Sequence, residues 1–348
     1  MKKILMITEA LGGGIYRYMY DVSKGLSGKY EIYLLCRKRK ELEPGFEKEI
    51  GENVKLICID ENKCGLVHMA NKIRETVKSI NPDVIHLHSS IAGALGRLCI
   101  NTRKYKVFYT PHGFAYLNGS PWIKMQIYKT IEYIMSLFRC RIIACGRYEY
   151  EIARKMRKDS VCICNGVDVA KIQMIAGNAP VNDKFTVVTI GRTCMQKNPQ
   201  LFNAVASAMP DVCFKWIGDE SKDILTSPNI ITMPFVDHNT AIREIAAANV
   251  YMNTSVFEGL SIALLEAMAL DKPCVVSGAE GNLEVIEDGI CGCICHEYKD
   301  YVAAIRSIMN DSVLAVTLGK AAQKKVTEQY NIDKVINDLE DIYWRQAE

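Results

Sequence analysis

Residues 185–199, FTVVTIGRTCMQKNP, open the second half of this chain with a strand, a turn and the start of a helix. The first six form an apolar, β-branched run that is typical of a buried strand. Gly191 and Arg192 follow where the chain must turn, and Lys197-Asn198-Pro199 begins a helix. The stretch therefore predicts the first half of a βαβ unit.

The same alternation of short apolar runs and amphipathic segments continues on both sides of this stretch. Before it, the sequence predicts strands at 2–8, 30–36, 54–59, 83–88, 106–111, 141–146 and 161–164 and helices near 15–27, 66–80, 90–101, 121–138 and 147–157. From it onward, strands are predicted at 185–190, 212–217, 230–233, 250–254, 274–277 and 291–295 and helices at 198–208, 239–248, 261–270, 280–287, 298–309, 311–329 and 332–346. Strands separated by helix-length segments imply parallel sheets with right-handed crossovers.

A polar connection interrupts this alternation and predicts a boundary between domains. It follows Asn165-Gly166-Val167-Asp168 and contains Gly177, Pro180 and Asp183. Because the same pattern restarts afterwards, two similar α/β domains are expected, at 1–168 and 184–331, joined by a linker at 169–183.

Composition indicates a soluble globular protein without a membrane span. The 348 residues are 49% hydrophobic and 24% charged, and no apolar run reaches the ~20 residues that cross a bilayer. Residues 1–8 are interpreted as a first strand, not a signal peptide, because Glu9 and a glycine loop follow them. Fourteen cysteines lie mostly in apolar strands, and their C-x-C spacing does not fit a zinc site, so we expect a reduced, cytoplasmic protein that needs no metal or other cofactor.

Charge is distributed unevenly between the two halves. Residues 1–180 carry 29 Lys and Arg against 17 Asp and Glu, or +12, whereas residues 181–348 carry 14 against 23, or −9. A basic half is either an ordinary solvated surface or the binding face for an anionic partner such as a membrane, a diphosphate or nucleic acid. Nucleic acid is a poor fit because no recognition motif is present.

Parallel sheets bind ligands beyond the carboxyl ends of their strands, where the first half places glycines and histidines. Gly12-Gly13-Gly14 follows the first predicted strand, and such a loop at a helix N-terminus suits a phosphate or simply makes a tight turn. His88 ends the strand 83–88, with His86 on the same face, and His112 follows the next strand. A neutral imidazole there would donate to a sugar hydroxyl or stabilise charge in a transition state.

The second half places charged residues at the corresponding positions. Arg192 and Lys197 flank a glycine turn and a helix N-terminus, which together form a site for a diphosphate. Glu258 and Glu266 belong to FEGLSIALLEAMA, the first in a glycine loop and the second inside the following apolar helix. A buried carboxylate needs a polar partner, and a ribose diol would provide one. The alternative is a helix cap and one structural glutamate.

Taken together, these motifs resemble glycosyltransferase family 4, the retaining enzymes of GT-B fold. The resemblance covers nearly the whole chain and includes the glycine loop, the His-Gly turn at 112–113, the N-G-V-D segment, the G-R-x-x-x-x-K-N loop and the E-x7-E element. It implies two doubly wound, Rossmann-like domains that face each other across a cleft. It also implies that the final helix, 332–348, packs back on the first domain.

The resemblance further implies roles for individual residues, with catalysis assigned to His112, Glu258, Arg192 and Lys197. Arg192 and Lys197 would hold the donor diphosphate, Glu266 the ribose, and Glu258 the donor sugar. The remaining donor-site residues would be Gly13, Gly14, Met233, Phe235, Val236, Gly259, Leu260 and Ser261, and the acceptor-side candidates Arg17, His88 and His112. Leu260-Ser261 replaces the aromatic residue and glycine that members often have, which leaves the donor sugar open.

The acceptor and location are inferred from the basic first domain. The stretch 121–141 is apolar, aromatic and basic, and it predicts either a helix packed on the sheet or a peripheral contact with an anionic membrane. The predicted activity is retaining transfer from a nucleotide sugar, with UDP expected from the family, to a glycan or polyprenyl-diphosphate-linked acceptor of a bacterial surface polysaccharide. Such an enzyme would be cytoplasmic, with peripheral contact at the inner face of the cell membrane.

Two other enzyme classes remain as alternatives. A nucleotide-sugar epimerase on the same scaffold would share the donor site and need no acceptor. An NAD(P)-dependent oxidoreductase would use the glycine loop and bind a 2′-phosphate near Arg37, but the G-x-G-x-x-G spacing is absent and the second-half motifs would have no role.

Overall fold

The computed structural model of the chain describes residues 1–37, 50, 52–59, 65–117, 121–177, 179, 182–218, 221 and 223–345. The chain divides into two compact units. Unit 1 contains Met1–Asn165 together with Ile332–Glu348, and unit 2 contains Gly166–Asn331. The C-terminal helix therefore belongs to the unit that begins the chain. Residues 178, 180 and 181 of the predicted linker and residues 346–348 of the predicted final helix lie outside the described ranges.

Unit 1 is built on a seven-stranded parallel sheet of order β3-β2-β1-β4-β5-β6-β7. Its strands are β1 (Lys3–Ala10), β2 (Glu31–Arg37), β3 (Val54–Ile59), β4 (Val84–His88), β5 (Lys106–Thr110), β6 (Arg141–Ala144) and β7 (Val161–Cys162). Its helices are α1 (Gly13–Ser27), α2 (Leu66–Ile80), α3 (Ser90–Cys99), α4 (Trp122–Met135), α5 (Arg147–Met156) and, from the C-terminus, α13 (Ile332–Trp344).

Unit 2 is built on a six-stranded parallel sheet of order β10-β9-β8-β11-β12-β13. Its strands are β8 (Thr186–Ile190), β9 (Cys213–Ile217), β10 (Ile230–Met233), β11 (Val250–Asn253), β12 (Cys274–Ser277) and β13 (Cys293–Cys295). Its helices are α6 (Val169–Ala176), α7 (Pro199–Ser207), α8 (His238–Ala247), α9 (Ile262–Ala269), α10 (Glu280–Val285), α11 (Tyr298–Asn310) and α12 (Ser312–Gln329).

The expectation of two Rossmann-like α/β units is confirmed by the strand orders. In each sheet the order reverses at one place, between β1 and β4 in unit 1 and between β8 and β11 in unit 2. The loops that follow these strands diverge to opposite faces of the sheet and leave a crevice at the carboxyl edge. His86 and His88 lie in β4, Arg192 and Lys197 follow β8, and Glu258 follows β11, whereas His112 follows β5, one strand further along the sheet.

The segment 169–176 differs from the prediction, since it forms helix α6 and not an irregular linker. Asp168 caps this helix by accepting a hydrogen bond from the Lys171 amide at 2.9 Å. Val169 and Ile172 are buried on its inner face. The prediction of a linker rested on Gly177, Pro180 and Asp183, which come after this helix in the chain.

Strand β4 shows how the sheet of unit 1 is covered on both faces. All five residues of β4 are buried, and Ile85 and Leu87 lie in the apolar core with residues of α2 and α3. His86 and His88 point to the opposite face because side chains alternate along a strand. Tyr343 of α13 bonds to His86 on that face, so the C-terminal helix covers a polar part of the sheet.

Helix α4 is attached to unit 1 through a buried ion pair. Its fully buried residues are Glu132 and Met135. Glu132 accepts hydrogen bonds from Arg97 of α3 at 2.9 Å and from the Tyr109 hydroxyl of β5 at 2.7 Å. Arg97 is 1% exposed, and its guanidinium lies 4.2 Å from the centre of the Tyr109 ring.

Removing one charge of this pair should destabilise unit 1 more than removing both. Glu132→Leu leaves the Arg97 guanidinium buried and unpaired, which costs about 3–5 kcal/mol, and the added change Arg97→Met should recover most of that loss. Urea unfolding of the full chain measures both values. Equal destabilisation by the single and double variants would show that the pair does not act as a unit.

Candidate functional site

In unit 2, the turn after β8 is fixed by contacts with β9. The carbonyl of Gly191 accepts a hydrogen bond from the Trp216 indole nitrogen at 2.8 Å. A Cβ atom on Gly191 would lie 3.0 Å from the Lys197 side chain, and one on Gly218, at φ +118°, would lie 3.0 Å from the Gly191 carbonyl. Arg192 follows directly and is exposed. The two glycines thus let the loop lie close to its neighbours and leave Arg192 at the surface.

Lys197 is held by the start of helix α7 and by the loop after β11. Asn198 has a left-handed φ of 50° and caps α7 with its side chain. The hydroxyl of Thr254 donates to the Lys197 carbonyl at 2.7 Å. Gln196 is tied to the same loop, because its carbonyl accepts from the Val256 amide at 2.9 Å. The two loops at the strand-order reversal of unit 2 are therefore bound to each other.

Glu258 is the centre of this cluster and is 5% exposed. Its Oε1 atom lies 2.5 Å from the Lys197 Nζ and accepts from the Ser255 hydroxyl at 2.6 Å and the Asn253 side chain at 3.4 Å. Among the residues that the structure describes, none donates to Oε2. The described hydrogen bonds of the Glu258 carboxylate thus all converge on one of its two oxygens.

A second layer of buried polar groups holds Asn253 and Ser255. The Asn253 carbonyl oxygen of the side chain accepts from the Ser255 amide at 2.9 Å and from Asn282 at 3.3 Å. Asn282 also donates to the Ser277 hydroxyl at 2.9 Å, and Tyr301 donates to the Asn253 backbone carbonyl at 2.9 Å. This network fixes the direction of the Glu258 carboxylate.

Glu266 is also 5% exposed, and its partner is a residue that the sequence analysis did not identify. Its Oε1 lies 2.7 Å from Nε2 of His238, the first residue of α8. Asp237 caps that helix by accepting from the Thr240 amide at 3.0 Å. His238 comes from a different loop, so no spacing along the chain indicated the pair. As with Glu258, no described residue donates to the second oxygen.

The other predicted donor-site residues lie in the same loops. Gly259 packs against α10 so closely that a Cβ atom on Gly281 would be 1.9 Å from its carbonyl. Leu260 is buried, and Ser261 caps α9 by accepting from the Leu264 amide at 3.4 Å. Residues 233, 235 and 236 run from the end of β10 to the cap of α8, and Phe235 is exposed.

This arrangement places four charged side chains at the carboxyl edge of a sheet. One cation is exposed, one cation is paired with a carboxylate, and each of the two carboxylates has described donors on only one of its oxygens. Cations near a helix N-terminus attract phosphate, and carboxylate oxygens accept from hydroxyl groups. A ligand that carries both phosphates and vicinal hydroxyls would therefore match the chemistry of the cluster.

In unit 1, the glycine loop forms the start of helix α1. Gly13 has φ +56°, and its Cβ position has no atom within 4 Å, so its conformation and not a lack of space favours glycine. Gly13 and Gly14 are both exposed. Arg17 lies one turn further along, where it is buried, forms an ion pair with Asp21 and lies over the Tyr20 ring.

Three histidines are gathered at the strand-order reversal of unit 1. The rings of His86 and His88 have centroids 4.0 Å apart, on one face of β4 as predicted. Nδ1 of His88 lies 3.0 Å from Nε2 of His112, and the Tyr18 ring of α1 meets His112 edge-on at 4.9 Å. His86 bonds separately to Tyr343 at 2.6 Å and to Thr110 at 2.8 Å.

The turn that carries His112 is fixed by a buried carboxylate of helix α5. His112 and Gly113 have φ values of +54° and +94°, both in the left-handed region. Oε1 of Glu149 accepts from the Gly113 amide at 2.7 Å, and Oε2 accepts from the Cys145 amide at 2.8 Å. These bonds hold His112 in a conformation that non-glycine residues rarely adopt.

Burial keeps all three histidines neutral. Desolvation lowers the pKa of His86 and of His112 to about 3, and it lowers the pKa of His88 well below its usual value, with smaller contributions from the neighbouring imidazoles to His86 and His88. The cluster therefore offers neutral hydrogen-bonding groups near physiological pH and no positive charge.

The same pKa values predict that acid destabilises unit 1. His86 and His112 bind protons near pH 6.5 in the unfolded chain and only near pH 3 in the folded chain, and the pKa of His88 is lowered in the same direction, so stability is complete above about pH 6.5 and falls as the pH is lowered. The slope should be about 1.4 kcal/mol per pH unit for each histidine.

Urea unfolding at a series of pH values measures this slope. His112→Gln should reduce it by the contribution of one histidine. Identical slopes for the wild type and His112→Gln would contradict the assignment of a neutral His112.

The sequence matches two family models that together cover most of the chain. The model described as "Glycosyltransferase Family 4" matches residues 12–171, and the one described as "Glycosyl transferases group 1" matches residues 172–325. Among individual relatives, the chain is 24% identical to the UDP-Gal:alpha-D-GlcNAc-diphosphoundecaprenol alpha-1,3-galactosyltransferase of Escherichia coli, over 90% of this chain and 89% of that protein. It is 26% identical to an uncharacterized 41.2 kDa protein in the cps region of Klebsiella pneumoniae, over 83% and 84%.

Solved structures of glycosyltransferases share the fold of the chain. Sucrose-phosphate synthase of Thermosynechococcus elongatus has a TM-score of 0.81 at 17% identity, covering 99% of this chain and 98% of that one. HepE of Anabaena, crystallised with UDP and glucose, has a TM-score of 0.80 at 18% identity, covering 98% and 99%. With both family models matched in order and the GT-B architecture present, the chain is a glycosyltransferase and belongs to family 4.

Proposed function

We propose that this glycosyltransferase moves a sugar from a UDP-sugar, with retention of configuration, to a glycan or polyprenyl-diphosphate-linked acceptor of a bacterial surface polysaccharide such as a capsule, O-antigen or exopolysaccharide. The observation that carries the proposal is the cluster in unit 2. There, Lys197 pairs with Glu258, His238 pairs with Glu266, and each carboxylate keeps one oxygen without a described donor.

In this proposal the parts of the donor meet matching groups of unit 2. Arg192 and Lys197 bind the diphosphate, and the backbone of Gly259, Leu260 and Ser261 lies along the phosphate and sugar. Glu266 accepts from the ribose hydroxyls, and Glu258 accepts from the sugar hydroxyls. Residues 233, 235 and 236 contact the base, where the exposed Phe235 ring offers an apolar surface.

The first unit contributes the sugar-side and acceptor-side groups of the proposal. The family resemblance assigns Gly13 and Gly14, at the N-terminus of α1, to the diphosphate and His112 to the donor sugar, and these roles remain predictions. Arg17 and His88 remain predictions for the acceptor side. Because both are buried and bonded within unit 1, they are more suited to supporting that surface than to touching the acceptor.

The names of the relatives support UDP and a lipid-linked acceptor. The E. coli relative is named for transfer from UDP-Gal to a sugar on diphosphoundecaprenol, and a Staphylococcus aureus relative of 24% identity over 51% of this chain is named for capsular polysaccharide biosynthesis. HepE was also solved with UDP-glucose.

The proposed mechanism relies on stabilisation of the leaving diphosphate. As the bond between the anomeric carbon and the diphosphate breaks, negative charge grows on the phosphate oxygens, and Arg192, Lys197 and the α7 helix dipole stabilise it. The acceptor hydroxyl then attacks from the face that the diphosphate leaves, which retains the configuration, and its proton passes to the departing phosphate oxygen. These cations perform the role of a metal ion, so we propose that no metal or other cofactor is needed.

Nucleotide binding tests the donor site directly. Isothermal titration of the full chain with UDP, GDP and NAD(P)H should show binding of UDP. Lys197→Ala and Glu266→Ala should each weaken it roughly tenfold to a hundredfold, since each removes a hydrogen bond involving a charged group. Lys299→Ala and Glu328→Ala change exposed residues of the same unit and should not alter the affinity.

Binding of NAD(P)H alone, unaffected by Lys197→Ala, would overturn the donor site. Product analysis with a UDP-sugar separates a transferase from an epimerase, because only a transferase requires an acceptor. The anomeric coupling constant of the product, measured by NMR, tests retention.

We also propose that the enzyme is cytoplasmic and contacts the inner face of the cell membrane through helix α4. On this helix Ile123, Ile127 and Ile134 are 68%, 54% and 51% exposed and share the face opposite Glu132. Lys124 and Lys129 flank this face, and the whole first half of the chain is basic. An exposed apolar face bordered by cations is typical of helices that lie in the interface of an anionic bilayer.

Within the described part of the chain, no single helix could span a membrane; only α11 and α12 taken together reach the required length and hydropathy, and they meet at a bend of 107°.

Flotation with vesicles tests this contact on the full chain. The wild type should float with vesicles that contain anionic lipid, and Ile127→Glu with Ile134→Glu should abolish flotation by placing charges on the apolar face. Val313→Glu, at a residue of α12 that is also exposed, is the matched control and should float like the wild type. A wild type that stays with the soluble fraction would refute the membrane contact and leave the donor site untouched.

A further inference from the structure

The hydrogen bond between His88 and His112 joins two neutral imidazoles, so one ring must donate and the other accept. The bond runs from Nδ1 of His88 to Nε2 of His112 over 3.0 Å. The other nitrogen of His88, Nε2, is buried and has no hydrogen-bond partner among the described residues. The position of the shared proton therefore determines whether that buried atom is an N–H group or a bare lone pair.

The two possible tautomers differ in energy for this reason. If Nε2 of His112 donated, His88 would carry its own proton on Nε2, and a buried N–H would have no acceptor. If Nδ1 of His88 donates, its Nε2 is a bare acceptor. Buried donors without a partner are rarer in proteins than acceptors with unused lone pairs. The second arrangement is therefore favoured, and it requires the proton of His112 to be on Nδ1.

We propose that His88 is a positioning residue that holds His112 in the Nδ1–H tautomer, so that His112 donates a hydrogen bond to the donor sugar and cannot accept one from it. The role of His112 toward the sugar rests on the proposed function, whereas the tautomer itself depends only on unit 1. His88 is thus assigned a role through His112 and not a contact with the acceptor.

The surroundings of the His88 and His112 rings favour a single tautomer of the pair. Burial prevents protonation, as the lowered pKa values of His88 and His112 indicate, so an imidazolium form does not compete. The Tyr18 ring packs at 4.9 Å from His112 and 5.7 Å from His88 and limits rotation of both rings. The Gly113 amide, bonded to Glu149, fixes the backbone beside His112.

The Nδ1–H tautomer makes His112 a hydrogen-bond donor and removes its capacity to act as a base or a nucleophile. With a proton on Nδ1 and the lone pair of Nε2 occupied by His88, His112 has no free lone pair to attack the anomeric carbon or to take a proton. It donates to a hydroxyl oxygen of the sugar and so orients the sugar for departure of the diphosphate. A transfer that proceeds by departure of the diphosphate, without an enzyme-bound sugar on His112, is consistent with that arrangement.

Nitrogen and carbon NMR of the histidine side chains in the full chain measures the tautomer without any substrate. The His112 signals are assigned by their loss in His112→Gln. The wild type should show His112 with its proton on Nδ1. His88→Asn, whose side-chain amide nitrogen replaces Nδ1 as a donor, should keep this tautomer, and His88→Leu should shift His112 toward the Nε2–H form.

Activity provides the second measurement once a donor and acceptor are found. His88→Leu should lower kcat about tenfold, as expected from loss of one hydrogen bond, with UDP affinity unchanged, and His88→Asn should recover most of it. A wild-type His112 protonated on Nε2 would overturn the proposal even if transfer activity is confirmed. The Nδ1–H tautomer together with no sugar transfer would instead reject the proposed function and retain the positioning role.

Discussion

The reversal of strand order within each parallel sheet is the constraint on which the candidate sites depend. Right-handed crossovers place helices on both faces of a parallel sheet, and where the order reverses the two connecting loops leave in opposite directions. In unit 2 this occurs between β8 and β11, so the loop with Lys197 and the loop with Glu258 meet although 61 residues separate them. The hydrogen bonds from Thr254 and Val256 then fix the two loops together.

Burial of the two carboxylates in unit 2 is tolerated because each has partners. An ionised carboxylate without them would be too costly to remove from water. Glu258 receives three donors on one oxygen, and Glu266 is bonded to His238 on one oxygen. The protein bonds orient each carboxylate, and in the proposed donor site the remaining oxygen of each would accept from a hydroxyl group of the ligand.

The two units provide opposite kinds of electrostatics near their strand ends. Unit 2 lies in the acidic half of the sequence, yet its site contains Arg192 and Lys197, so the local arrangement of charge and not the net charge suits a diphosphate. Unit 1 lies in the basic half, yet its strand ends hold three neutral histidines. Its positive charge is carried instead by surface residues, including the lysines beside the apolar face of α4. In both units, the buried groups at the strand ends are set by hydrogen bonds and desolvation.

The sequence by itself determined the two α/β units, nearly all of their strands and helices, and the motifs of family 4. These follow from local periodicity and from glycine and charged residues at strand ends, which depend on neighbours a few positions away. Helix α6 was missed because the glycine, proline and aspartate that follow it indicated a linker over the whole segment. Only the tertiary structure decided which residues became partners. His238 meets Glu266, Asn282 supports Asn253, and Tyr343 reaches His86 from the end of the chain. The structure also decided that Arg17 is buried beside Asp21 and that the outer face of α4 is exposed. Hydrogen bonds between distant segments and the burial of a helix face depend on how the strands and helices pack, and no spacing along one chain encodes them.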